Sequence, residues 1–261
     1  MTVKTLNFFN YTSCIGIILI LLFSSCQPAV EQKLLIATAA NARFAIEAIA
    51  HQFEQETGIV SQVISSSSGQ HTAQIEAGAP YDVFISADLK FPQKLHRLGL
   101  TLAEPGIYAY GTLVLWTLSG SIEPQVTALT SMPGAHIAMP NPKIAPYGRA
   151  AKEALDFHGL YDELSSSLVF GESIAQTNMF ILSETASIGF TAASIVMAPS
   201  MKNKGRWLAV DKNTYAPITQ GAVVIKQSSR QEEAKKFYLF LFSPTAKKIL
   251  LEYGYTFDEK I

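Results

Sequence analysis

Four short segments of the chain share one chemical capacity. Each is a loop that ends in a small polar residue or a glycine, followed at once by an amphipathic helix. They are Ala39-Ala40-Asn41, Ser67-Ser68-Gly69, Ala145-Pro146-Tyr147-Gly148 and Glu172-Ser173-Ile174. The N-terminus of a helix carries unpaired N–H groups and about half a positive charge, so it suits an anion. Two of these junctions fall in the first half of the chain and two in the second. Brought together, they would hold one small oxyanion between two lobes with neutral donors. Taken singly, Asn and Ser before a helix are ordinary caps. The Gly69 position lacks a Cβ, which would let a bound group come close to the backbone, and Tyr147-Gly148 repeats that logic. No Asp or Glu lies in the first three segments, which favours an anion that carries no proton at neutral pH. Arg43 and Arg149 sit in the first turns of two of these helices, where each can either face the cleft or face solvent.

Other chemistry is thinly represented. The chain has no Gly-x-Gly-x-x-Gly after a strand, no phosphate loop ending in Gly-Lys-Ser/Thr and no Gly-x-Ser-x-Gly elbow. The five histidines, His51, His71, His96, His136 and His158, show no metal-ligand spacing. His71 lies in the turn after Ser68-Gly69 and could approach a ligand. Asp82 and Asp88 flank a strand and could do acid–base work, although Asp88 reads better as a helix cap. An enzyme built on His71 or on this carboxylate pair is therefore the weaker alternative, and no catalytic residue is assigned.

The elements that must position the junctions alternate between strand and helix, the pattern of an α/β fold with mostly parallel sheets. Leu34–Ala37 reads as a buried strand. The helix after Asn41 turns Phe44 or Ala45, Ile46, Ile49, Ala50 and Phe53 inward and stops at Thr57-Gly58. Ile59–Ile64 and Val83–Ile85 read as strands, and a helix from Asp88 carries Leu89, Leu95 and Leu98. Ile107–Thr117 is a long β-rich run broken by Gly111, long enough to pass from one lobe to another. A second unit follows with strands at 136–139, 167–170, 188–190 and 207–210 and helices at 149–158 and 174–183. Ala222–Ile225 reads as a returning strand. Ser229-x-x-Glu232 reads as a capping box, and Ser243-Pro244 as an N-cap with Pro at the first helical position. The expected organisation is two lobes, 33–108 plus 221–261 and 109–220, joined by two hinge crossings. Ligands of open α/β sheets sit at strand C-terminal ends.

Composition agrees with an exported globular protein. The chain has 261 residues, 48% of them hydrophobic, and a net charge of −1, which gives no electrostatic pull on nucleic acid. Residues 1–26 hold one charge, Lys4, then the apolar run Ile15–Phe23 and Ser24-Ser25-Cys26. The run has the length of a signal-peptide core and is too short to span a bilayer. Small residues before a Cys resemble a lipoprotein cleavage site, with Cys26 as the lipidated residue. Removal of this segment also takes away Cys14, leaving no disulfide and no thiol metal site. Residues 27–32 read as a short tether.

From Ala39 onward these motifs resemble the periplasmic molybdate-binding proteins of bacterial molybdate ABC transporters, a family of type II periplasmic binding proteins. The likeness spans roughly 33 to 258. Its most specific block is Gln74-Ile75-Glu76-Ala77-Gly78-Ala79-Pro80 followed by Asp82–Asp88; Ala39-Ala40-Asn41, Phe53-Glu54 with Thr57-Gly58, Ser67-Ser68-Gly69, Ala145-Pro146-Tyr147-Gly148, Ala151–Leu155 and Tyr253-Gly254-Tyr255 also match. The resemblance implies a two-lobed receptor that captures molybdate or tungstate through hydroxyls and backbone N–H groups. By motif these fall on Asn41, Ser68, Tyr147 and Ile174, with no direct ligand to the metal and no other cofactor. It implies a partner permease, a monomer, and a periplasmic or cell-surface location with a lipid anchor in the membrane. Ala192 stands where one branch has a ligand Tyr, and Arg43 departs from the family pattern. Sulfate or phosphate on the same fold is the nearer alternative.

Overall fold

The computed structural model describes Met1 and residues 33–257. The expected signal peptide, Cys26 and the tether lie outside the described residues. Among the described residues no helix is long and apolar enough to cross a membrane.

The chain is α/β and two-lobed, with a five-stranded sheet in each lobe. The first sheet contains β1 (Leu34–Ala39), β2 (Ser61–Ser66), β3 (Val83–Ser86), β4 (Gly106–Gly111) and β10 (Ile218–Val224), in the order β2-β1-β3-β10-β4. The second contains β5 (Leu113–Thr117), β6 (Ile137–Pro140), β7 (Leu168–Gly171), β8 (Ile188–Ala192) and β9 (Arg206–Ala209), in the order β7-β6-β8-β5-β9. Each sheet is mixed. The strands joined by helices pair in parallel, β1 with β2 and β3, and β6 with β7 and β8. The strands that carry the chain between lobes add antiparallel pairs, β10 with β3 and β4, and β5 with β8 and β9.

The run Ile107–Thr117 is therefore two strands in different sheets, with the crossing at Thr112. The return crossing lies between Ala209 and Ile218.

Among the described residues the α-helices are α1 (Arg43–Thr57), α2 (Ser68–Glu76), α3 (Lys90–Arg97), α4 (Pro146–Phe157), α5 (Ile174–Leu182), α6 (Ala193–Val196), α7 (Gln231–Leu241) and α8 (Pro244–Glu252). Helix α1 buries Ala45, Ile46, Ile49, Ala50 and Phe53, and Phe44 packs only partly. It ends at Gly58 with φ 71°, a left-handed C-cap that suits glycine. Ser243 caps α8 by accepting the Ala246 N–H at 3.1 Å, with Pro244 first in the helix.

Two expectations fail on local chemistry. The capping box at Ser229 does not form, because α7 begins at Gln231 after Arg230, which makes no side-chain cap. The Ser228 hydroxyl donates instead to Asp82 and accepts the Arg230 N–H. In α3, Pro92 and Leu95 are buried while Leu98 is exposed.

Two apolar clusters form in the first lobe. The cluster of the second lobe extends onto Ala39, Ala40 and Ala87 at the C-terminal ends of β1 and β3. These small side chains face the other lobe and leave room between the two sheets.

Candidate anion site between the lobes

The four junctions meet. One small cavity is lined by Ala39, Ala40, Asn41, Ser67, Ser68, Ala87, Ala145, Pro146, Tyr147 and Ile174, and its volume is about 10 Å³, the room of a single water. The lining comes from the C-terminal ends of β1, β2 and β3 in one lobe. In the other it comes from the segments after β6 and β7, the place where open α/β sheets receive ligands. Among the described residues no Asp, Glu, His, Lys or Arg lines it.

Each junction supplies donors in its own way. Ser67, not Ser68, caps α2: its hydroxyl accepts the Gln70 N–H at 3.3 Å, and the Gln70 side chain returns to the Ser67 N–H, which makes a capping box. Ser68 is the first helical residue. Its Oγ accepts the Ala87 N–H at 3.0 Å, so the hydroxyl proton is what it can give. Ser173 caps α5, accepting the Gln176 N–H at 3.3 Å, and Ile174 follows as the first helical residue. Tyr147 is the second residue of α4, after Pro146. The N–H groups of Ser68, Tyr147 and Ile174 all precede the first bond within their helices.

Asn41 is not a helix cap. Ala42 precedes α1 without a side-chain cap, and Asn41 turns its amide to Gln220 and Tyr255. The Tyr147 hydroxyl is buried and makes no hydrogen bond of normal geometry, although the Asn41 and Gln220 amides lie beside it. It reaches the hinge strand, where a Cβ on Gly111 would come within 2.1 Å of it. Burial pushes the Tyr147, Tyr108 and Tyr255 hydroxyls above the ordinary phenol range, so they stay neutral at physiological pH.

The two glycines serve packing. The Gly69 N–H donates across the cleft to the Ile144 carbonyl at 3.0 Å, and a Cβ there would sit 2.9 Å from that oxygen. What approaches the bare backbone is the opposite lobe. A Cβ on Gly148 would come within 2.2 Å of the Pro140 carbonyl in its own lobe. Arg149 also spans the lobes: it pairs with Asp88 and lies over the Phe91 ring at 5.5 Å. The Asp88 carboxylate also accepts the Phe91 N–H at 3.2 Å, but from one residue before the N-cap, a position that Leu89 and not Asp88 occupies. Arg43 faces solvent and pairs with Glu47.

The other candidates lie elsewhere. His71 is fully buried beside β1, with Nε2 against the Thr38 carbonyl and Nδ1 against the Gln74 amide, each at 3.1 Å. Burial holds its pKa below the ordinary histidine value, outweighing those hydrogen bonds. Asp82 is a staple, accepting the Leu35 N–H at 2.7 Å and the Ser228 hydroxyl at 2.6 Å. Ala192 is buried at the end of β8 and does not line the cavity. Among the described residues no group of three His, Cys, Asp or Glu could hold a metal ion.

Sequence reasoning passed over Ile144, Gln220 and Ser194. Gln220-Gly221 inside an apolar strand was a readable signal for a bulge. Ile144 carries no such signal.

The family model for bacterial extracellular solute-binding proteins matches residues 34–256. The chain belongs to that family. The molybdate-binding protein ModA of Azotobacter vinelandii is 37% identical over 224 residues, covering 84% of this chain and 88% of that protein. ModA of Rhodobacter capsulatus is 36% identical over 231 residues, covering 87% and 90%. The solved structure of the Azotobacter vinelandii periplasmic molybdate-binding protein superposes with a TM-score of 0.82 at 35% identity, covering 87% of this chain and all of that one. In this solute-binding fold the cavity occupies the cleft between the lobes.

Proposed function

We propose that the chain is an extracytoplasmic receptor that captures molybdate, and tungstate with it, and delivers the ion to the permease of an ABC transporter. One observation carries the reading: four junctions from both lobes line one cavity that has no formal charge of either sign. Neutral N–H and hydroxyl donors suit a fully ionised tetrahedral oxyanion. Each charge-assisted bond contributes about 1.5–3 kcal/mol, so several suffice for tight capture. The relatives named for molybdate binding support that ion.

Asn41 and Ser68 hold the ion from the first lobe, and Tyr147 and Ile174 hold it from the second. A ligand that touches both lobes binds the closed state better and so drives closure. Among the described residues lining the cavity no carboxylate stands ready to accept the proton of hydrogen phosphate, which disfavours that anion. The receptor works as a monomer, needs no other cofactor, and is held to a membrane outside the cytoplasm by a lipid on Cys26.

A thermal-shift screen across oxyanions, followed by competition calorimetry, tests this. Molybdate at 100 times its dissociation constant should stabilise the fold by about 2.7 kcal/mol. Sulfate binding as tightly as molybdate would overturn the assignment of the ion.

A further inference from the structure

Asn41 is buried and lines the cavity, and its polar atoms are engaged by Gln220, Tyr255 and Ser194. Its Nδ2 donates to Gln220 Oε1 at 3.0 Å and to Tyr255 Oη at 2.9 Å. Its main-chain oxygen accepts from Ser194 Oγ at 2.7 Å and from Tyr255 Oη at 3.3 Å. The orientation of both amides follows from their partners. Gln220 Nε2 faces the Ile218 carbonyl at 3.5 Å, a position that suits an N–H. That leaves Oε1 towards the Tyr108 hydroxyl, at 3.1 Å, and towards Asn41. Facing an oxygen, Asn41 must present its nitrogen. An amide nitrogen has two hydrogens, and both are now taken. The remaining side-chain atom, Oδ1, is an acceptor and would repel an anion.

We propose that Gln220 and Tyr255 are positioning residues of the anion site: they hold the Asn41 side-chain amide away from the ligand, so that this junction meets the anion with main-chain N–H. The proposal deepens the receptor reading and rests on it. Gln220 reaches Asn41 because the register of β10 on β4 shifts between Gln220 and Gly221, and such bulges re-aim side chains. Gly111 leaves the space, since a Cβ there would lie 2.7 Å from Gln220 Nε2. Tyr255 arrives on the C-terminal segment, which bridges to β4 through Thr256 and Tyr110. Two elements distant in sequence thus fix one side chain at the hinge.

The test is a titration of the ¹⁵N-labelled full chain with sodium molybdate. The main-chain amide of Asn41 should shift on binding, and its side-chain NH₂ pair should stay in place. In Gln220→Met and Tyr255→Phe variants molybdate should bind about tenfold more weakly, and the released NH₂ pair should now move on titration. Tyr255→Phe removes one hydroxyl and keeps the ring, so it serves if Gln220→Met fails to fold. A wild-type NH₂ pair that shifts as far as the main-chain amide, or variants of unchanged affinity, would overturn the proposal alone. A wild-type spectrum unmoved by molybdate would overturn the receptor reading and the proposal together.

Discussion

Replacing Gly69 by alanine should separate lobe closure from lobe stability. With the lobes as they stand in this structure, the new Cβ would sit 2.9 Å from the Ile144 oxygen, 3.0 Å from its Cβ and 3.1 Å from its Cα. Two of those atoms are backbone, so no side-chain rotation relieves the contact, and the lobes must part by about half an ångström to reach ordinary packing distance. That movement also stretches the 3.0 Å bond from the Gly69 N–H to the Ile144 carbonyl. Overpacking costs about 1–3 kcal/mol and a lost hydrogen bond about 0.5–1.5 kcal/mol, so closure should lose about 2 kcal/mol, roughly thirtyfold in affinity. Alanine near the start of a helix is favoured over glycine by up to about 1 kcal/mol, but that gain acts in open and closed forms alike and cancels from binding. Ligand-free protein escapes the clash by opening. The expected result is therefore an unchanged or higher melting temperature without ligand, and a much weaker molybdate isotherm by calorimetry. Unchanged affinity, or a fall in melting temperature that matches the loss of affinity, would refute this account of the glycine.

Ile174→Val should leave affinity within about twofold, whereas Ile174→Pro should weaken molybdate by about 10- to 150-fold, the worth of one charge-assisted bond; Ser173 is extended at ψ 167° and proline is tolerated at the first helical position, so calorimetry on a folded variant reads the lost N–H alone. Arg149→Met breaks the pair with Asp88 across the cleft and should speed ligand release about fivefold in stopped-flow while leaving the preference for molybdate over sulfate unchanged. His71 is held neutral by burial, so the unfolded chain takes up a proton that the folded one refuses. Stability should thus be complete above the unfolded pKa of about 6.5 and decline as pH falls below it, and urea midpoints at pH 7.5 and 5.5 should differ less in His71→Gln than in the wild type.

The alternation of strands and helices, and the helices that begin at or beside Asn41, Ser68, Tyr147 and Ile174, were legible because each rests on local chemistry: apolar periodicity, a cap, a terminal glycine. The meeting of the junctions was legible through topology, since parallel strands point their C-terminal ends to one side. What escaped was the use of polar side chains at long range. The amide of Asn41 reads as a cap until Gln220 and Tyr255, 179 and 214 residues away, are seen to claim it. Gly69 reads as an approach for a ligand until Ile144 fills the space. Arg149 was weighed only between cleft and solvent, and a carboxylate on the opposite lobe was a third place for it.

These cross-lobe contacts raise the question of what keeps the cleft open when it is empty. The Gly69 to Ile144 bond is worth about 0.5–1.5 kcal/mol net, and a partly exposed ion pair such as Asp88 with Arg149 about 0–1 kcal/mol. Water satisfies the same groups when the lobes part, so contact alone gives closure a small bias. An oxyanion adds several bonds of about 1.5–3 kcal/mol each, and these form only when both lobes reach it. The ordering has a functional reason. A receptor clamped shut without ligand would lower its own apparent affinity by the fraction left open. Neutral lining residues and a weak clasp are thus parts of one solution: the ion, and not the protein, supplies most of the free energy that closes the lobes.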